Sequence, residues 1–178
     1  NSFSITLNGT NDTPDATFLT AQTAAEDGTV VTGQLTADDP DNGTTLSYKL
    51  IGAPIDGLSI STDGSWSFDP AHPSYQSLID GEVLELIVNY SVTDSDGASD
   101  QAAFTLTLTG TNDAPKLTGL QSSLPGGSED NPYAITKNQL LAGFSDADDG
   151  ESLTLDITDL VATDDNGALV GTFAPNLD

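Results

Sequence analysis

The run Phe104-Thr-Leu-Thr-Leu-Thr-Gly110-Thr-Asn-Asp-Ala-Pro115 repeats Phe3-Ser-Ile-Thr-Leu-Asn-Gly9-Thr-Asn-Asp-Thr-Pro14 at an offset of 101 residues, with eight of twelve positions identical. Its first half alternates apolar and hydroxyl side chains, the two-residue period of a strand with one buried face, and Thr favours that conformation. Its second half, Gly-Thr-Asn-Asp-x-Pro, carries the residues that end strands and make turns. Further matches follow in order: Glu26-Asp27 with Glu129-Asp130, Asp39-Pro-Asp41-Asn-Gly43 with Asp146-Ala-Asp148-Asp-Gly150, and Leu46 with Leu153. A period of about 100 residues makes the chain a tandem array. We divide it into the final strand of one repeat (1–10), a complete repeat (11–113) and the first part of another (114–178), which reads as truncated from a longer array.

Within the complete repeat the same alternation recurs at Leu46, Tyr48 and Leu50, at Trp66 and Phe68, and from Leu84 to Val92. It predicts seven strands, near 15–24, 29–37, 45–51, 57–61, 64–69, 83–93 and 101–110, with a short helical turn within Ala71–Ile79. Asp-Gly, Asn-Gly or Pro punctuates the breaks. Seven short strands in about 100 residues, without a long helix, predict an all-β protein: an antiparallel Greek-key β-sandwich of the Ig-like type.

Composition narrows the function. The 178 residues carry 28 acidic side chains, all but five of them Asp, against three Lys, for a formal charge of −25. With so few cations, nothing could neutralise nucleic acid phosphates or an anionic membrane. No apolar run reaches the roughly 18–20 residues of a membrane span, and no signal-peptide pattern opens the sequence, so targeting is expected from a segment outside it. Cysteine is absent and His72 is the one histidine, held between prolines in Asp69-Pro-Ala-His-Pro73. Thiol catalysis is thereby excluded, and imidazole catalysis lacks partners. The paired carboxylates sit among other acids without an aromatic cleft, which argues against glycoside hydrolysis. We expect no enzyme. What abounds is carboxylate and amide oxygen, the ligand set of hard cations, calcium above all.

Strand parity places those oxygens. Successive connections of an antiparallel sandwich alternate between its two ends. Asn11-Asp12, Asp38 to Gly43, Asp63-Gly64 and Asp94-Ser-Asp96-Gly97 fall at one end, here the upper. Glu26-Asp27-Gly28, Asp56-Gly57, Asp80-Gly81-Glu82 and Asn112-Asp113 fall at the lower end, followed by Asp146 and Asp148 of the next copy. Crowded carboxylates repel by several kcal/mol for unscreened pairs near ~4 Å, and a divalent cation inverts the sign. The pattern is no EF-hand: counting back from Gly43 puts Pro40 at the third position, and counting back from Gly150 puts Ser145 at the first.

Gly110-Thr-Asn-Asp-Ala-Pro115 and Gly9-Thr-Asn-Asp-Thr-Pro14, with Phe68-Asp-Pro, Asp80-Gly-Glu82 and Tyr90-Ser-Val-Thr-Asp-Ser-Asp-Gly97, resemble the bacterial VCBS and cadherin-like repeats of type I-secreted, RTX-type adhesins. The resemblance covers nearly the whole chain. It implies calcium at each repeat junction, held at the lower end by Glu26, Asp80, Glu82, Asn112, Asp113, Asp146 and Asp148. Asn11, Asp12, Asp39, Asp41, Asp94 and Asp96 would form the upper set, and Glu129 repeats Glu26 in the last copy, which ends before any counterpart of Asp94. It further implies an extracellular, cell-surface protein supporting adhesion or biofilm formation. Adjacent repeats are the partners it implies, with a glycan, a peptide or another copy as possible ligands. An accessory domain of a secreted polysaccharide-active enzyme is the remaining alternative.

Overall fold

The computed structural model describes residues 2–17, 19–124, 126–127, 131, 133–148, 150 and 152–155. The chain forms two compact units, one of Asn1–Asp113 with Ala147–Asp149, the other of Ala114–Asp146 with Gly150–Asp178.

The first unit is a β-sandwich. Among its described residues it has nine strands: β1 (Asp15–Ala16), β2 (Gln22–Ala25), β3 (Val31–Gln34), β4 (Ala37–Asp38), β5 (Ser47–Leu50), β6 (Leu58–Ile60), β7 (Ser65–Phe68), β8 (Val83–Thr93) and β9 (Ser99–Thr109). One sheet has the order β2-β9-β8-β5, the other β3-β7-β6, and β1 pairs with β4. All pairings are antiparallel except β2 with β9. This is the predicted seven-strand arrangement with its first two strands broken. The span 15–24 splits into β1 and β2, and 29–37 splits into β3 and β4, because each half pairs with a different neighbour. Two side-chain bonds hold the first break: the Asp100 carboxylate accepts from the Ala16 amide at 2.9 Å, and the Tyr90 hydroxyl donates to the Thr17 carbonyl at 2.5 Å.

The alternating residues meet between the sheets. Phe68, Val88, Tyr90, Val92, Leu106 and Leu108 are fully buried, each worth about 1.5–3 kcal/mol of transfer free energy. Trp66 lies 5.2 Å, centroid to centroid, from Phe104 and packs against Gly33, where a Cβ would come within 2.6 Å of the indole. Between β7 and β8 the chain makes successive turns, with amide bonds from His72 to Asp69, Tyr75 to His72 and Leu78 to Tyr75.

In the second unit, β10 (Lys116–Leu117) pairs antiparallel with β11 (Phe144–Ser145), and α1 (Lys137–Leu140) makes one helical turn. Thr136 and Gln139 close that turn as a reciprocal capping box. Residues 2–10 form no strand, and Phe3, Ile5 and Leu7 are exposed. Their copies Phe104, Leu106 and Leu108 are buried because β8 and β2 flank them.

Gly110 ends β9 where the chain passes over the turn before β8. Its amide donates to the Glu82 carbonyl at 2.8 Å, and a Cβ there would stand 2.3 Å from the Ile79 carbonyl oxygen. Gly9, its copy, has nothing within 4 Å. Gly110→Ala should therefore destabilise the sandwich by about 1–3 kcal/mol in urea unfolding, as overpacking does, while Gly9→Ala leaves the midpoint unchanged.

Candidate metal centre

The upper end is built from three connections. The Asn11 amide donates to Asp94 Oδ2 at 2.8 Å, and the Asp12 backbone amide to Asp41 Oδ2 at 2.7 Å. Asp39 Oδ1 accepts from the Asp41 amide at 2.9 Å, while its Oδ2 is buried without a hydrogen-bond partner. Asp94 is itself buried, and its Oδ1 receives the backbone amides of Asp96, Gly97 and Ala98 at 2.6–2.9 Å. The Asn11 amide is the largest influence and lowers its pKa from 3.8; burial comes next and opposes it, and the three backbone amides add to the lowering. Asp96 is exposed. An open hollow of about 310 Å³ lies here, lined by Thr10, Asn11, Asp41, Thr44, Ser95 and Asp96 among others.

The lower end centres on Glu26, which is 2% exposed. Its Oε2 accepts from the Thr111 amide at 3.1 Å, and the Gln76 amide reaches its Oε1 at 3.5 Å and Asp27 Oδ1 at 3.0 Å. Burial raises its pKa above 4.5, and the charges of Asp27, Asp113 and Asp148 push it the same way, while the Thr111 amide works against them. Asp113 and Asp148 are both buried, and the Asp113 amide donates to Asp148 Oδ2 at 3.0 Å. Asn112 is exposed and caps the Asp113 carbonyl at 2.6 Å.

The predicted residues are thus not all brought together alike. Asn11, Asp12, Asp39, Asp41 and Asp94 share the upper end, as Glu26, Asp113 and Asp148 share the lower. Asp80 and Glu82 are exposed, and Glu82 Oε2 turns back to the Ile79 amide at 3.3 Å rather than toward Glu26. Asp146 falls in the second unit, and Glu129 lies outside the described residues. Among the described residues no three carboxylate or imidazole groups converge closely enough to grip an ion as they stand. Like charges spread apart, and the Asn11 amide protons occupy Asp94 Oδ2; turning that amide would present its oxygen instead. The donor set nevertheless fits a hard divalent cation: all-oxygen ligands, buried carboxylates and the bare Asp39 Oδ2. Gln76 and Asp100 had no sequence signal, since their contacts cross 50 and 84 residues.

The two ends should respond oppositely to acid. Glu26 has a folded pKa above its unfolded value, so the native state binds the extra proton, and stability falls as pH rises through that window. Asp94 has a folded pKa below its unfolded value, so it stabilises above 3.8 and that contribution is lost as pH falls through the folded pKa. In chelator, Glu26→Gln should exceed the parent's melting temperature at pH 7, with the gain vanishing below pH 4.5, whereas Asp94→Asn should melt lower at pH 7.

Comparison with known families agrees with this architecture. A bacterial Ig domain matches residues 11–107, and a cadherin-like domain matches 111–178. No curated protein matches. Among solved structures, Drosophila N-cadherin EC1-3 is 17% identical, with 60% of this chain and 36% of that one covered at a TM-score of 0.41. Human mucin-like protocadherin EC1-2 is 23% identical, with 57% and 54% covered at 0.39. The protocadherin GammaB4 extracellular domain is 18% identical, with 78% and 24% covered at 0.42. The chain spans between about a quarter and about half of the length of these structures. With one match running from the Asn11 turn into β9, over more than half its length, the chain belongs to the bacterial Ig domain family.

Proposed function

We propose that this chain is a calcium-binding, extracellular segment of a large bacterial surface adhesin of the VCBS type, exported by type I secretion. Its role is that of an extender: repeats joined end to end, with calcium stiffening each junction and the whole supporting adhesion or biofilm formation. Residues 11–113 are one complete repeat, 114–178 begin the next, and 1–10 close the one before.

The observation that carries this reading is the burial of Glu26, Asp94, Asp113 and Asp148 at the two ends of a chain with three Lys. Burial resists the charge of Glu26, and Asp39 Oδ2 is buried without a hydrogen-bond partner; carboxylate oxygens so placed cost free energy. A divalent cation turns that cost into binding free energy. Asn11, Asp12, Asp39, Asp41, Asp94 and Asp96 would hold it above. Glu26, Asn112, Asp113 and Asp148 would do so below, joined by Asp80 and Glu82 once their side chains turn inward; Asp146 is assigned to the same set from its sequence motif alone. Glu129 would open the corresponding set of the next repeat. The sequence supplies no thiol and one histidine, held between prolines, so the acidic ends suit a structural module better than a catalyst.

Calcium titrated into chelator-treated protein should bind at two or more sites. At a hundredfold excess over Kd each ion adds about 2.7 kcal/mol of stability. Asp94→Ala should remove the upper ion alone and Asp113→Ala the lower alone. No binding heat with an unshifted melting curve would overturn the reading.

A further inference from the structure

The outer face of the four-stranded sheet carries almost no charge, in a chain of net charge −25. Along β8 it presents Val83, Glu85, Ile87, Asn89, Ser91 and Thr93. β9 adds Thr105, Thr107 and Thr109, and β5 adds Ser47 and Lys49. Glu85 and Lys49 are the only charged side chains that these strands and β2 place there. Ile87 is 64% exposed, a β-branched knob near the middle of the sheet. One row further along, Ile51, Asn89, Gln101, Ala102 and Ala103 line a shallow hollow of about 260 Å³, open because Ala103, opposite Asn89, is small.

Knob, hollow and charges are related by one operation. A two-fold axis lying across the strands, midway between the rows of Ile87 and Asn89, exchanges those two rows. Each Ile87 then meets the hollow of the other copy. The same axis exchanges the rows of Glu85 and Ser91, and Lys49 pairs with Ser91 in register. Each Lys49 therefore stands over the Glu85 row of the other copy, one strand to the side. Within a single copy the two charges are six residues apart along β8, roughly 20 Å, too far to pair. A face that fits itself under a two-fold axis is what an isologous dimer requires.

We infer that a second copy of this chain docks face to face on this sheet, with the two copies antiparallel. The face measures roughly 15 by 30 Å, so the dimer buries about 900 Å² in all and is weak. Most of its acids lie in the connections rather than on this face, and calcium or salt would relieve their repulsion. An antiparallel dimer suits chains meeting from opposed surfaces. That use rests on the adhesin reading; the dimer itself does not.

Sedimentation velocity on the whole chain, in chelator with 0.15 M NaCl and again with calcium, tests this. A concentration-dependent dimer is expected, tighter with calcium. Lys49→Glu and Glu85→Lys should each weaken it about tenfold, and the double swap should restore it. Ile87→Asp should abolish it; if that variant melts early, Ile87→Thr keeps the strand propensity and should weaken it in the same direction. A monomer up to about 1 mM in both buffers would overturn the inference. So would a dimer indifferent to Ile87, or a double swap that fails to restore association. A dimer that persists in chelator while calcium fails to bind would remove only the extender reading.

Discussion

Everything at the ends of this sandwich is governed by carboxylates taken out of water with too few cations to answer them. Most of the acids sit in the connections, the strands of the sandwich holding Asp15, Asp38, Glu85 and Asp100, and the core between the sheets must outweigh the repulsion the connections create. The two ends meet this constraint differently. Asp94 is surrounded by the Asn11 amide and three backbone amides, so it stays ionised without any metal. Glu26 is buried with one backbone donor and a distant Gln76 amide, and Asp27, Asp113 and Asp148 lie nearby, so its charge is resisted, by burial first and by those acids after it. A cation would therefore change the lower end more than the upper.

The scarcity of acids in the strands has a second consequence, on the sheet faces. A protein of this charge repels its own copies through most of its surface. Association is left to the uncharged areas, and of the two sheets only the four-stranded one sets Val83 and Ile87 among its hydroxyls. Thr at alternate positions of β9 serves both ends of this economy: it favours the strand and keeps that face wetted while the face awaits a partner.

Much of the architecture was legible because its signal is local. Period-two alternation from Leu84 to Val92 and from Phe104 to Leu108 marks strands whose inner face is buried. The breaks at 17–21 and 35–36 were not legible, since they arise from pairing with different partners far along the chain. The one-turn helix at Lys137–Leu140 left only the Thr136 and Gln139 spacing as a clue, being too short for an apolar stripe. Parity of connections put Asn11, Asp12, Asp41 and Asp94 together. It could not foresee that Glu82 would fold back on Ile79. Parity assigns a connection to an end; rotamers and nearby donors decide where its side chains point.

The twelve-residue repeat explains why these levels are coupled. In its second copy, Phe104, Leu106 and Leu108 fill the core, Gly110 slips past Ile79, Thr111 donates to Glu26, and Asp113 donates to Asp148. Any shift of β9 along β8 would move Thr111 and Asp113 with it, so strand register sets the geometry of the acidic cluster. The first copy separates the two halves. Phe3, Ile5 and Leu7 have no sheet beside them and stay exposed. Asn11 and Asp12 nonetheless bond to Asp94 and Asp41 of the sandwich that follows. The strand half of the second copy fills the core of the sandwich it ends and its turn half bonds Glu26 of that sandwich, while the turn half of the first copy bonds the sandwich that follows it. A single stretch with both duties ties core packing on one side to carboxylate placement on the other, and this is why the motif recurs as a unit.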